Sequence, residues 1–332
     1  MKSLEYIFLV TFLSQASSNV LLLPSVAAFS VNSCWGVGRP NHKSHFDQSL
    51  RLSPSKEVDK DHNKRSIKLS GSGRTVSLVS RTLPISPDWR LTVWEWEHPA
   101  QVVESFWEAQ SRGPELRGGV HSSRLLDPFG LVSWPGSVVA AQELRKHALV
   151  VQDKSVFIWG AGVGVEAQAV AELGAKSILA TDIHPTTLQQ LELGIMENDR
   201  IPNKGIIQTQ IFDLMAETPF PTLSADLVVV ADVLYNEQLA SHVVRRVVEY
   251  WKHNPELKVL ITDSQRFVDI MKGLQDGFSK AIVNDNTGQE KGIPLIHCTE
   301  ETLVAFIGSG VCINEDQTYD VKVRKIWIGL SE

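Results

Sequence analysis

The chain has 332 residues, of which 43% are hydrophobic and 21% charged, the balance of a soluble globular protein with room for one large domain or two small ones. Its formal net charge of -6 gives no overall attraction to phosphate backbones or acidic membranes, so nucleic acid is not an expected partner. Cys34, Cys298 and Cys312 are too few for a disulfide framework and none sits at zinc-ligand spacing, so buried thiols and no metal are expected.

At the N-terminus, Lys2, the apolar run IFLVTFL and VLLLPSVAAFS, with small residues at Val26 and Ala28, read as a signal peptide over 1–28. No apolar stretch approaches the ~20 residues that a bilayer requires, so no stable membrane span is expected. Residues 29–80 are rich in serine and basic side chains, poor in large aliphatics and without sustained periodicity, as in a segment that stays disordered. A hydrophobic signal, then Ala28-Phe29, then a basic serine-rich stretch resembles the two-part presequences that send proteins into the plastids of algae with secondary chloroplasts. That resemblance implies a plastid location, with the secretory pathway or mitochondrion as the alternative.

A domain is expected over 81–332. LTVWEWEH alternates like a half-buried strand, and PAQVVESFWEA places Val102, Val103, Phe106 and Trp107 on one helical face. Trp94 and Trp96 read as core or lid residues. From residue 138 the order is regular: helix VVAAQELRKHAL, strand VFIW, a helix from about Val165 to Leu173, strand SILAT, helix TTLQQLELGIMEN and strand IIQTQIF. Strand DLVVVA, helix LASHVVRRVVEYW and strand KVLIT follow. Strands alternating with helices predict right-handed crossovers and a parallel sheet covered on both faces. DLMAETPFPTLSA, after Phe212, shows no helix and is short for a crossover. TEETLVAFIG and YDVKVRKIWIG predict a closing antiparallel pair.

The stretch VFIWGAGVGVEAQAVAELGAKSILATDIHP, residues 156–185, carries the functional signal. After a first strand, GAGVG lets the backbone turn tightly and approach a ligand, while the following helix presents its N–H groups. Asp182 ends the second strand, where a carboxylate can accept both hydroxyls of a ribose. A dinucleotide-binding turn would put its third small residue where Val165 stands. The G-x-G-x-G spacing of Gly160, Gly162 and Gly164 instead resembles the S-adenosylmethionine site of seven-stranded methyltransferases.

DPFGLVSWPG, residues 127–136, and ADLVVVADVLYNEQLA, residues 225–240, narrow the resemblance to the protein-lysine methyltransferases of that class, closest to those acting on the electron-transfer-flavoprotein beta subunit. It covers about 125–330 and departs at Ile158, where the family has an acid. It implies an α/β fold with a Rossmann-like seven-stranded sheet, helices on both faces and a C-terminal antiparallel hairpin. It also implies S-adenosyl-L-methionine as cofactor and a protein substrate carrying an acceptor lysine, handled by a monomer. By the same resemblance Trp134 walls the cofactor, Gly160, Ala161, Gly162 and Gly164 hold its methionine part, Asp182 its ribose and Asp213 its adenine region. Ala231 lies beneath the methyl group, and Asp232 and Tyr235 line the acceptor channel as catalytic residues. A small-molecule N-methyltransferase, an NAD-dependent oxidoreductase and a catalytically inactive binding fold stand as alternatives. Read from the residues alone, Asp213 equally suits a turn, and the alternative for Asp232, whose place after a buried strand favours a ligand role, is a cap for the helix containing Leu239.

Overall fold

A computed structural model describes residues 63–68, 75–98, 128–264, 270–283, 292–306 and 319–330. Strands β1 (Lys64–Lys68), β2 (Thr75–Ser86) and β3 (Trp89–Trp96) form a small antiparallel sheet. Helix α1 (Pro135–Lys146) then opens an alternating series: β4 (Ser155–Trp159), α2 (Val165–Glu172), β5 (Ser177–Asp182), α3 (Pro185–Glu197) and β6 (Ile207–Ile211). It continues through β7 (Leu227–Ala231), α4 (Glu237–His253), β8 (Lys258–Asp263) and α5 (Met271–Val283), and ends in β9 (Ile296–Phe306) and β10 (Tyr319–Ile328).

The large sheet has seven strands in the order β6-β5-β4-β7-β8-β10-β9, with β10 antiparallel to both of its neighbours. The order reverses between β5 and β7 around β4, so the carboxyl ends of these strands flank a crevice. This is the expected α/β sheet with its closing hairpin.

Side-chain alternation explains why the sheet is covered on both faces. In β4, Val156 and Ile158 join one core while Phe157 and Trp159 join the other, and in β7 Leu227 and Val229 part from Val228 and Val230 in the same way. The first core takes apolar faces of α1, α2 and α3 together with β2 and β3; the second takes α4 and α5. Each fully buried aliphatic contributes roughly 1.5–3 kcal/mol relative to an exposed one, which makes the central strands the rigid base of the crevice.

Two sequence expectations change. Strand β1 and the start of β2 lie inside 29–80, which was expected to be disordered: KRSIK and TVSLVS are too short and polar to announce strands alone, and they gain order by pairing, Lys64 to Val79 and Leu78 to Trp96. Cys298 is exposed on β9 rather than buried. The helix-less crossover after Phe212 is real, since no helix occurs between β6 and β7. Trp94 and Trp96 are buried as core residues. The predicted helix at 99–109 and Cys312 lie outside the described residues. Among the described residues, no helix is long and apolar enough to cross a membrane.

Candidate cofactor and acceptor site

Beyond Trp159 the chain turns through Gly160, Gly162 and Gly164 at φ of 68°, 50° and 88°, backbone that side chains with a Cβ rarely adopt. Ala161 N–H donates to the Thr181 carbonyl at 2.8 Å, which fastens the turn to the end of β5. A Cβ on Gly160 would come within 2.6 Å of Val233 Cγ2, and one on Gly164 within 2.6 Å of Leu191 Cγ. At Gly162 the nearest atom, the Gly130 carbonyl oxygen, is 3.9 Å away. The outer two glycines therefore serve packing as well as turning, whereas Gly162 keeps backbone open toward the crevice.

Asp182 closes this turn from β5. Its Oδ2 accepts from Gly162 N–H at 3.1 Å and its Oδ1 from His184 N–H at 3.0 Å, so the carboxylate is oriented before any ligand arrives. Each carboxylate oxygen has a second lone pair, the geometry that two vicinal hydroxyls need.

A cleft of about 840 Å³, partly open to solvent, lies over these strand ends. It gathers Trp134, Gly160, Ala161, Gly162, Asp182, Asp213, Ala231, Asp232 and Tyr235 from sites far apart in sequence; Gly164 alone among the expected cofactor residues lies outside its lining, capping α2 instead. Trp134 donates its indole N–H to the Phe129 carbonyl at 2.6 Å, and Phe129 stacks on Tyr235 with ring centroids 4.9 Å apart. Phe129 thus joins the two halves of the wall. Within DPFGLVSWPG nothing local marks Phe129 for that role, because Tyr235 lies far away in sequence. Asp213 makes the turn that it suits, accepting from Met215 N–H at 2.8 Å, and lines the cleft as well.

The position of Asp232 is unusual. It is non-glycine backbone at φ 52°, and its buried carboxylate accepts three hydrogen bonds: Gly136 N–H at 2.5 Å on Oδ2, and Ser264 N–H and Oγ–H, both at 2.7 Å, on Oδ1. It caps the start of α1, not the helix containing Leu239. That helix is capped by Asn236, whose Oδ1 accepts from Leu239 N–H at 2.8 Å. The carboxylate therefore holds α1, β7 and the end of β8 together at the floor of the cleft.

S-adenosylmethionine fits this donor and acceptor set. The glycine turn offers close backbone approach, Asp182 offers a paired acceptor and the Phe129–Trp134–Tyr235 wall offers apolar area. Thr187, on the cleft lining, has a buried hydroxyl oxygen with no hydrogen-bond partner. Among the described residues, no cluster of three or more His, Cys, Asp or Glu suits a metal ion.

A lysine methyltransferase family model matches residues 123–275. The ribosomal protein L11 methyltransferase of Bacillus cereus is 26% identical over 161 residues, spanning 46% of this chain and 49% of that protein. The enzyme of the same name from Dichelobacter nodosus is 31% identical over 121 residues, covering 35% and 40%. The chain thus spans about half the length or less of these curated relatives. A putative RNA methyltransferase structure from Pyrococcus horikoshii superposes with a TM-score of 0.41 at 14% identity, over 60% of this chain and 85% of that one. Residues 123–275 are thus similar to the lysine methyltransferase family, and the sheet order and the glycine turn with Asp182 beneath an open cleft suit S-adenosylmethionine.

Proposed function

We propose that the chain is a protein-lysine N-methyltransferase acting as a monomer, nearest in kind to the enzymes that modify the electron-transfer-flavoprotein beta subunit. The observation that carries this reading is the single cleft in which the cofactor residues Gly162 and Asp182 meet Asp232 and Tyr235 at the carboxyl ends of adjacent strands. The lysine methyltransferase model supports an amine acceptor, and the ribosomal protein L11 methyltransferases support an acceptor that is a protein.

S-adenosylmethionine, when bound, would supply a methyl group on a sulfonium, a good leaving group, so the work of the chain's own residues would be to present an uncharged amine to it. An acceptor lysine enters as an ammonium and must first release a proton. The apolar wall of Phe129 and Val233 disfavours the charged amine. The Tyr235 hydroxyl orients the amine, and the Asp232 carboxylate steadies the positive charge that grows on nitrogen as the bond forms. The released proton leaves to water at the open side of the cleft. Residues 1–28 and the serine-rich segment after them deliver the protein to a plastid.

Incubating the purified chain with methyl-labelled S-adenosylmethionine and an organellar lysate tests this. Label in protein, lost on Asp232 substitution and recovered as methyl-lysine after hydrolysis, is expected. Label confined to small molecules overturns the protein acceptor.

A further inference from the structure

Among the described residues, the β6-to-β7 connection is the parallel crossover that runs without a helix, yet Phe212, Asp213, Leu214 and Met215 form one wall of the cleft. A segment with no internal helical hydrogen bonds needs partners from elsewhere. Arg246 of α4 supplies them. Its guanidinium donates to alternate carbonyls along the segment: through Nη2 to Thr218 at 2.7 Å and to Ala216, and through Nε to Leu214 at 3.5 Å. The ring of Phe220 lies 4.8 Å from the guanidinium carbon and that of Phe212 5.5 Å.

Arg246 stands in the buried stripe of α4 with Val243, Val247 and Tyr250, and is itself only 2% exposed. An arginine is seldom buried to this extent, and desolvating it is costly unless its donors are used. Here they are used on the backbone of the crossover, at Leu214 in the cleft wall and at Ala216 and Thr218 just beyond it, with Nη1 reaching Glu249 at 3.3 Å. Only a forked, planar cation can meet several carbonyls spaced along a non-helical segment; a lysine ammonium meets them from one point.

We propose that Arg246 is the positioning residue for the cofactor wall: its guanidinium holds Phe212–Met215 in register with the glycine turn, so that cofactor affinity depends on a side chain outside the cleft. This rests on the S-adenosylmethionine reading of the site. The segment binds its ligand without a crossover helix because α4 reaches across and takes over the helix's hydrogen-bonding work.

The test uses the full chain with Arg246→Met and Arg246→Lys, measuring S-adenosylmethionine binding by calorimetry and hydrogen exchange of the 213–220 amides without ligand. Arg246→Met is expected to weaken binding about tenfold or more, with Arg246→Lys recovering part of the loss. Exchange at 213–220 should accelerate while the amides of β4 and β7 keep their protection. If Arg246→Met does not fold, Arg246→Lys and Phe220→Leu carry the same comparison. Binding within about twofold of the wild type in the folded variants, whatever their melting temperature, overturns the clamp. Wild-type protein that binds no S-adenosylmethionine overturns the functional reading and the cofactor role together, and in that case the exchange data still report whether Arg246 orders the segment.

Discussion

Gly136 N–H and the Asp232 carboxylate meet at 2.5 Å across 96 positions of sequence, and that contact seats the first turn of α1 on the carboxyl end of β7. Trp134, which lines the cleft, immediately precedes that turn, so this carboxylate on the cleft lining also sets where the tryptophan stands. Asp232→Asn keeps the shape but replaces one acceptor oxygen by an NH₂ facing N–H or O–H donors. Turnover should fall by roughly two orders of magnitude, the usual penalty for one preorganised contact, and stability by about 1–3 kcal/mol for the donor left unpaired. Ser264→Ala removes only a hydroxyl and should cost about 1 kcal/mol with little loss of turnover. Single-turnover methyl transfer with thermal denaturation separates the two; a wild-type rate in Asp232→Asn would reduce Asp232 to a cap.

Asp182→Ala should remove most cofactor affinity. Two charge-assisted hydrogen bonds to ribose hydroxyls are lost, on the order of 3 kcal/mol, or about a hundredfold in Kd. The Gly162 and His184 N–H groups also lose their acceptor, so the glycine turn loosens. Calorimetry that returned an unchanged Kd would move the ribose elsewhere.

The three glycines should fail differently. Gly160→Ala drives a Cβ into Val233, and Gly164→Ala drives one into Leu191, each on backbone with positive φ. Both should lose more stability than the roughly 1 kcal/mol that left-handed backbone alone exacts from alanine. Gly162→Ala has room, so it should stay near that value and instead weaken cofactor binding. Equal melting temperatures for all three variants would contradict this ordering.

Glu166, at the second position of α2, is 2% exposed, and one carboxyl oxygen has no hydrogen-bond partner. Burial pushes its carboxyl from 4.5 up to about 7; hydrogen bonds from Ser137 and its own backbone oppose the rise and the Asp232 charge adds to it. The folded state thus holds the proton more tightly than the unfolded chain. Its contribution to stability is complete below about pH 4.5 and is lost as pH climbs through about 7, a change of up to about 3 kcal/mol. Melting temperature should therefore decline between pH 5 and 8 in the wild type, and Glu166→Gln should flatten that decline. A wild-type profile already flat across this interval would contradict the assignment.

Much of the sheet was legible because its signal is local. LVVVA and VFIW announce buried strands by composition, and Gly160, Gly162 and Asp182 by the sites where a strand ends. The partners of Asp232 were not legible: its cap target lies 96 residues upstream, and nothing in ADVLYN distinguishes it from a cap for the next helix, the place Asn236 takes. Arg246 was hidden for another reason. In VVRRVVEYW it stands beside Arg245, and composition cannot show that one pairs with the exposed Glu217 while the other meets a ladder of carbonyls. Strand β1 was missed because its five residues become a strand only against β2.

Glu95, on β3, is fully buried and accepts from Ser133 N–H at 2.8 Å, Ser133 Oγ–H at 2.6 Å and Arg81 at 2.8 Å. It ties the small antiparallel sheet to the residues just before Trp134. At the other end of the chain, Lys325 on β10 reaches Glu143 of α1 at 2.9 Å. The stretch that carries family likeness, 123–275, is therefore smaller than the stretch whose buried groups and sheet edges are partnered within it. A fragment cut at those limits would strand Ser133 and Glu143 without their counter-groups and expose β8 as a raw sheet edge. Heredity and mechanics draw different borders on this molecule: the contacts that brace the family-like stretch reach back to β3 and forward to β10.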